Sequence, residues 1–157
     1  MDVKYINPFI ISVANTMQTM LGVEVQQLPP VISNGGCSHG DISGIIGMVS
    51  ETINGSVALS FPVGTAVEMY KKMMGEATSN MDEIKDTVGE FANIIAGGAK
   101  RELAGMGMSF NISIPTIVMG KDHTLCHQAN AYVIVIPFKF DGGNQFEMEI
   151  SLKMIQD

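Results

Sequence analysis

The stretch Met81–Ala104, MDEIKDTVGEFANIIAGGAKRELA, decides the fold. A helix turns by about 100° per residue, so Ile84, Val88, Phe91, Ile95 and Ala99 share one face. A stripe of that kind must be buried against a sheet or another helix. Asp86, Glu90, Asn93, Gly97 and Lys100 fall on the opposite face. Ser79 with Asp82, or Asn80 with Glu83, offers a capping box at the start, and Gly105-Met106-Gly107 ends the run.

Short alternating segments surround this helix. Downstream, Ser109–Met119 alternates through Phe110, Ile112 and Ile114, and Pro115 places that strand at an edge or a bulge. A polar connection over 120–130 leads to a last hairpin, Ala131–Phe140 and Gln145–Met154, joined by Asp141-Gly142-Gly143-Asn144. Upstream, Thr65–Met74 reads as a helix with Ala66, Val67, Tyr70, Met73 and Met74 on one side, closed by Gly75. Ile42–Val49 and Ser56–Phe61 read as a hairpin turning at Asn54-Gly55. At the N-terminus, Asn7 is a good cap with Pro8 at the first helical position; Phe9, Val13, Met17 and Met20 then recur at helical spacing until Gly22. Val23–Gln27 alternates as a short strand, ended by Pro29-Pro30, and Ser33–Gly40 is rich in turn residues. Each half thus reads helix, strand, loop, hairpin, with the Thr65–Met74 helix between them. The pattern predicts an α+β fold over 1–157 as one domain, a mostly antiparallel sheet with helices packed on it and pseudo-twofold halves.

Composition narrows the function. With 46% hydrophobic and 16% charged residues over 157, the chain is globular rather than disordered. Nine Lys plus Arg against 16 Asp plus Glu, a net charge of −7, argues against a nucleic-acid partner. No apolar run reaches the roughly 18 residues that cross a bilayer, and Asn7 and Pro8 interrupt any secretion signal. Two cysteines make no disulfide framework, which suits a reducing cytosol. The 13 methionines read as core filler in place of Leu.

The outer face of the Met81–Ala104 helix carries the chemistry. Glu90 and Asn93, three apart, are neighbours there, and Asp86 lies one turn earlier. Gly89 and Gly97 flank the pair, and each costs about 1 kcal/mol relative to Ala inside a helix. Close approach of another body to the backbone explains that cost; local packing against a loop is the alternative. Asn cannot act as a base, but its amide can orient a water through one donor and one acceptor. Glu90 can hold a cationic group of a partner. No nucleophile, metal motif or second acid stands beside them in sequence, so the pair looks like half a site.

Asp86-Thr-Val-Gly-Glu90-Phe-Ala-Asn93, with Pro115 twenty-two residues after the Asn, resembles the signature of the CheC/CheX/FliY chemotaxis phosphatases. Tyr5-Ile-Asn-Pro-Phe9, Thr19-Met-Leu-Gly-Val-Glu24 and Asn54-Gly-Ser-Val-Ala-Leu-Ser-Phe61 are similar to the CheX branch, so the likeness spans nearly the whole chain. The resemblance implies hydrolysis of the aspartyl phosphate of a CheY-like response regulator. It implies that Asn93 enters the regulator's active site and orients water, and that Glu90 pairs with a regulator lysine. Asp86 and Pro115 support them, Mg²⁺ belongs to the regulator, and this chain has no cofactor of its own. It also implies a cytoplasmic homodimer. A second copy of the motif would fall at Ser12-Val-Ala-Asn15, but Ser12 replaces the Glu and Cys37 the distant Pro, so that copy is expected to be inactive.

Other readings stand beside it. Cys37-Ser-His39 and His123-Thr-Leu-Cys126-His127 could hold zinc if the two windows met, although their spacing matches no standard motif. Scattered loop histidines and inert thiols are the simpler reading, with no metal bound. The same fold could serve as a non-catalytic receiver-binding or scaffold module. An autonomous phosphoesterase would need a nucleophile–base pair or metal ligands that this sequence does not place together.

Overall fold

The computed structural model describes residues 3–34, 37–127 and 131–155. In chain order the elements are α1 (Val3–Leu21), β1 (Gln26–Gln27), β2 (Val31–Asn34), β3 (Cys37–Val49), β4 (Ile53–Phe61), α2 (Val63–Met74), α3 (Met81–Gly105), β5 (Asn111–Ile112), β6 (Thr116–Cys126), β7 (Tyr132–Phe140) and β8 (Asn144–Met154). All strand pairs are antiparallel. The sheet runs β1-β7-β8-β4-β3-β5, with β2 also on β7 and β6 also on β3. The expected α+β class and antiparallel sheet are present. Its halves are interleaved: the short strands after α1 pair with the second hairpin, and those after α3 pair with the first.

The core lies between one sheet face and the helices. Ile42, Ile46 and Met48 of β3, Val57, Leu59 and Phe61 of β4, and Phe146, Met148 and Ile150 of β8 are buried with the α3 stripe. The Phe146 ring stacks on Phe61 and Phe138 at 5.2 and 5.3 Å between centroids. Met17, Met48, Met69 and Met148 are fully buried and Met20, Met73, Met81 and Met108 pack at the core margin, but Met74, Met106, Met119 and Met154 are exposed. Core filling therefore explains most of the methionines on the described residues and not these last four.

Several local expectations change. α1 begins at Val3, so Asn7 is no cap and Pro8 lies inside the helix, where it forgoes one backbone bond but is buried. Asn54 and Gly55 belong to β4 rather than to the turn. The turn is at Ser50–Thr52, where Ser50 Oγ accepts the N–H groups of Thr52 and Ile53 at 3.2 and 2.9 Å. Gly55 serves a close approach instead, because a Cβ there would run into the Ser151 carbonyl of β8. The polar connection after Met119 is strand as far as Cys126, paired with the Cys37–Gly40 stretch whose turn-rich composition suggests a loop. Register shifts between Gly40 and Ile42. At that bulge the Asp41 carboxylate accepts the N–H of Asp122 at 2.9 Å and that of Val63, the first residue of α2, at 2.8 Å. Gly22, Gly75 and Gly107 end their helices with positive φ, as expected.

Candidate functional site

The α3 helix carries the candidate site on a rigid base. Asn80 caps it by accepting the Asp82 N–H at 3.0 Å. Glu83 does not close a capping box; it accepts from Thr78 Oγ1 at 2.5 Å and from Tyr70 OH at 3.1 Å, which ties α3 to α2. Ile84, Val88, Phe91, Ile95 and Ala99 are all buried. Gly44 of β3 lets the helix settle closely, since a Cβ there would lie 3.0 Å from that of Ala92. With this stripe pinned, the outward side is held in place.

Asp86, Glu90 and Asn93 are all exposed on that outward side, and none has a side-chain hydrogen bond or ion pair among the described residues. An acid and an amide one turn apart, unpartnered and presented by a fixed helix, are equipped to bind something outside the chain. Pro115 sits beside the adjoining Gly89. Its ring Cγ would be 3.9 Å from a Cβ at Gly89, and Ile117 Cδ1 3.3 Å from it. Gly89 is therefore buried by this chain's own β6 edge, which corrects its reading as a point of partner approach: the missing side chain admits Pro115 and Ile117. At Gly97 a Cβ would meet nothing within 4 Å, so that position stays open. The segment before Pro115 is anchored to β3, with Ser113 N–H donating to the Gly47 carbonyl and the Gly47 N–H donating to Ser113 Oγ, both at 2.9 Å.

The degenerate copy on α1 is built differently. Ser12 is buried, and its hydroxyl donates to the Ile95 carbonyl of α3 at 2.7 Å. Gly98 lies directly over it, so a Cβ at that glycine would collide with Ser12 Oγ. A carboxylate in place of Ser12 would lose that donated bond and set oxygen against oxygen in a helix–helix contact. Asn15 is exposed at the rim of a shallow depression with Ile94, Arg101 and Glu102.

The two Cys/His windows do meet, as neighbouring strands: Cys37 stands opposite Cys126, and Gly40 opposite His123. The side chains of Cys37 and His39 lie outside the described residues. His123 Nε2 bonds Ser43 Oγ at 2.7 Å and its Nδ1 the Gly120 carbonyl at 2.8 Å. His127 bonds Ser56 through Nδ1 and pairs with Glu149 through Nε2. Among the described residues no three metal-binding side chains converge. Glu149 is a residue that sequence reasoning misses. It alternates with Met148 and Ile150 and so lies on the sheet face away from the helices, yet it is fully buried, with Oε1 unpartnered among the described residues. The sequence carries no signal for it, because Glu149 falls in the polar register of an alternating strand with Glu147 and Ser151.

No described helix is long and apolar enough to cross a membrane. A family model described as chemotaxis phosphatase CheX matches residues 42–139. The chain is 29% identical over 156 residues to the CheY-P phosphatase CheX of Thermotoga maritima, covering 98% of each. It is 36% identical to the chemotaxis protein CheX of Vibrio vulnificus, covering 96% of this chain and 99% of that one, with a TM-score of 0.88. A CheX in complex with CheY, BeF3 and Mg²⁺ from Borrelia burgdorferi shares the fold at a TM-score of 0.79 and 24% identity, covering 97% of this chain and 99% of that one. The match over most of the chain makes this protein a member of the chemotaxis phosphatase CheX family.

Proposed function

We propose that this chain removes the phosphoryl group from the aspartyl phosphate of a CheY-like receiver domain, with Asn93 orienting the attacking water and Glu90 holding a receiver lysine. The carrying observation is the exposed, unpartnered Glu90–Asn93 pair on a helix whose opposite stripe is wholly buried. The Thermotoga relative is a CheY-P phosphatase, and the Borrelia relative is bound to CheY. The whole chain acts as one such domain, as a homodimer in the cytoplasm.

The water oxygen attacks phosphorus, the bond from phosphorus to the aspartyl oxygen breaks, and the products are inorganic phosphate and the free carboxylate. Phosphoryl transfer of this kind needs positioning more than covalent help. The Asn93 amide accepts from the water with its oxygen and donates from its nitrogen, which sets the line of attack. Glu90 makes a charge-assisted hydrogen bond that fixes the two proteins' register. Mg²⁺ is held by the receiver in this scheme. Asp86 lines the same face, and Pro115 and Gly89 set the spacing between helix and strand.

Phosphate loss from a labelled receiver panel tests the reading. Asn93→Ala is expected to lower kcat by about 100-fold with little change in receiver binding, while Glu90→Ala weakens binding by about tenfold. Wild-type decay rates equal to the spontaneous rate across the panel would sink it. Tight binding, with decay unchanged by Asn93→Ala, would favour a scaffold.

A further inference from the structure

Ile114 is the most exposed large hydrophobic residue on the described surface, at 85%. Its exposure is built into the strand register. Met48 of β3 stands opposite Ile112 and Ile45 opposite Thr116. Between those pairs β3 contributes Ile46 and Gly47, whereas the partner strand contributes Ser113, Ile114 and Pro115. One residue is surplus, which is a bulge, and bulges re-aim side chains beside functional sites. Ser113 is held by Gly47 and Pro115 is seated near Gly89, so the surplus falls on Ile114.

The location is as informative as the exposure. Pro115 and Ile117 sit at Gly89, while Met119 lines a cavity with Met81 at the start of α3. β6 therefore runs antiparallel to α3, and Ile114, upstream of Pro115, lies toward Asn93, which is one turn beyond Gly89. Among the described residues this side chain is left almost wholly open to solvent.

We infer that Ile114 is a docking residue which inserts into an apolar patch beside the phosphorylation site of the receiver domain, next to the Glu90–Asn93 pair. This rests on the receiver-phosphatase reading and names a further contact of that site. The bulge that seats Pro115 against the helix also presents Ile114, so one backbone feature supports both the positioning of Asn93 and the grip on the partner.

The test uses the full chain and a receiver activated with BeF3 and Mg²⁺, titrated for Kd, with kcat and KM measured on the phosphorylated form. Ile114→Ser is expected to raise Kd and KM at least about tenfold, as loss of a buried aliphatic side chain does, with kcat within about twofold. Ile114→Leu should restore most of the affinity. Thermal stability should stay at the wild-type value, since the side chain is exposed. Unchanged Kd for Ile114→Ser overturns the inference and leaves the phosphatase reading standing. Binding that Ile114→Ser weakens, without any wild-type hydrolysis, upholds the docking role and overturns the catalytic one. A wild-type chain that binds no receiver overturns both.

Discussion

Adjacent glycines in α3 answer to different neighbours. Gly97 has open space where a Cβ would go, whereas Gly98 faces Ser12 Oγ. Gly97→Ala is therefore expected to stabilise the fold by about 1 kcal/mol through helix propensity. Gly98→Ala should destabilise it by about 1–2 kcal/mol, because Ser12 must give up its bond to Ile95 or the helices must part. Urea denaturation of the two variants reads the opposite signs; a shared sign would mean that the helix contact at Ser12 is unimportant. If the outer face meets a receiver, Gly97→Ala should also weaken receiver binding despite its added stability. The acid–amide pair itself was readable from spacing alone, because helical periodicity is local. The reason for Gly89 was not, because Pro115 reaches it only through strand pairing.

The α2 helix is capped by a side chain from elsewhere in the chain. α2 begins at Val63 after Pro62, which offers no side-chain cap, and the Asp41 carboxylate of the β3 bulge accepts the Val63 N–H instead. The N–H groups of Asp122 and then of Val63 hold the Asp41 carboxyl below its ordinary value, outweighing the opposite effect of burial. A carboxylate with a lowered folded pKa contributes its stability above the ordinary aspartate range and loses it as pH falls through the folded value. Asp41→Ala is accordingly expected to cost about 1 kcal/mol at neutral pH and progressively less in acid. Urea midpoints of both proteins at several pH values check this, and a difference independent of pH would contradict it. Element types came through from alternation and helical spacing, and the helix stops from their glycines. The errors were at turns, polar segments and the α1 start: Asn54-Gly55 carries a strong hairpin signal but is used where β8 passes close, polar residues 120–126 form strand because β3 supplies their partners, and Pro8 lies inside α1 rather than at its start.

Over the whole molecule, neither half can complete its own sheet. β1 and β2 need β7, while β5 and β6 need β3, and α1 packs on α3 through Ser12. Unfolding should therefore be a single transition, with far-ultraviolet dichroism and tyrosine emission coinciding. Fragments 1–75 and 76–157, expressed separately, should each lack a cooperative transition; an independently folding half would refute this interdependence. The amino-acid sequence by itself determined the two faces of α3, the Glu90–Asn93 pair, the glycine stops of the helices and the alternation that marks most strands, since each depends on residues within a few turns of one another. Tertiary structure alone decided which strands pair, why Gly55, Gly89 and Gly98 lack side chains, why Glu149 is buried and why Ile114 is not. Those outcomes depend on which distant backbone lies alongside, and periodicity along one segment carries no information about its neighbour across the sheet.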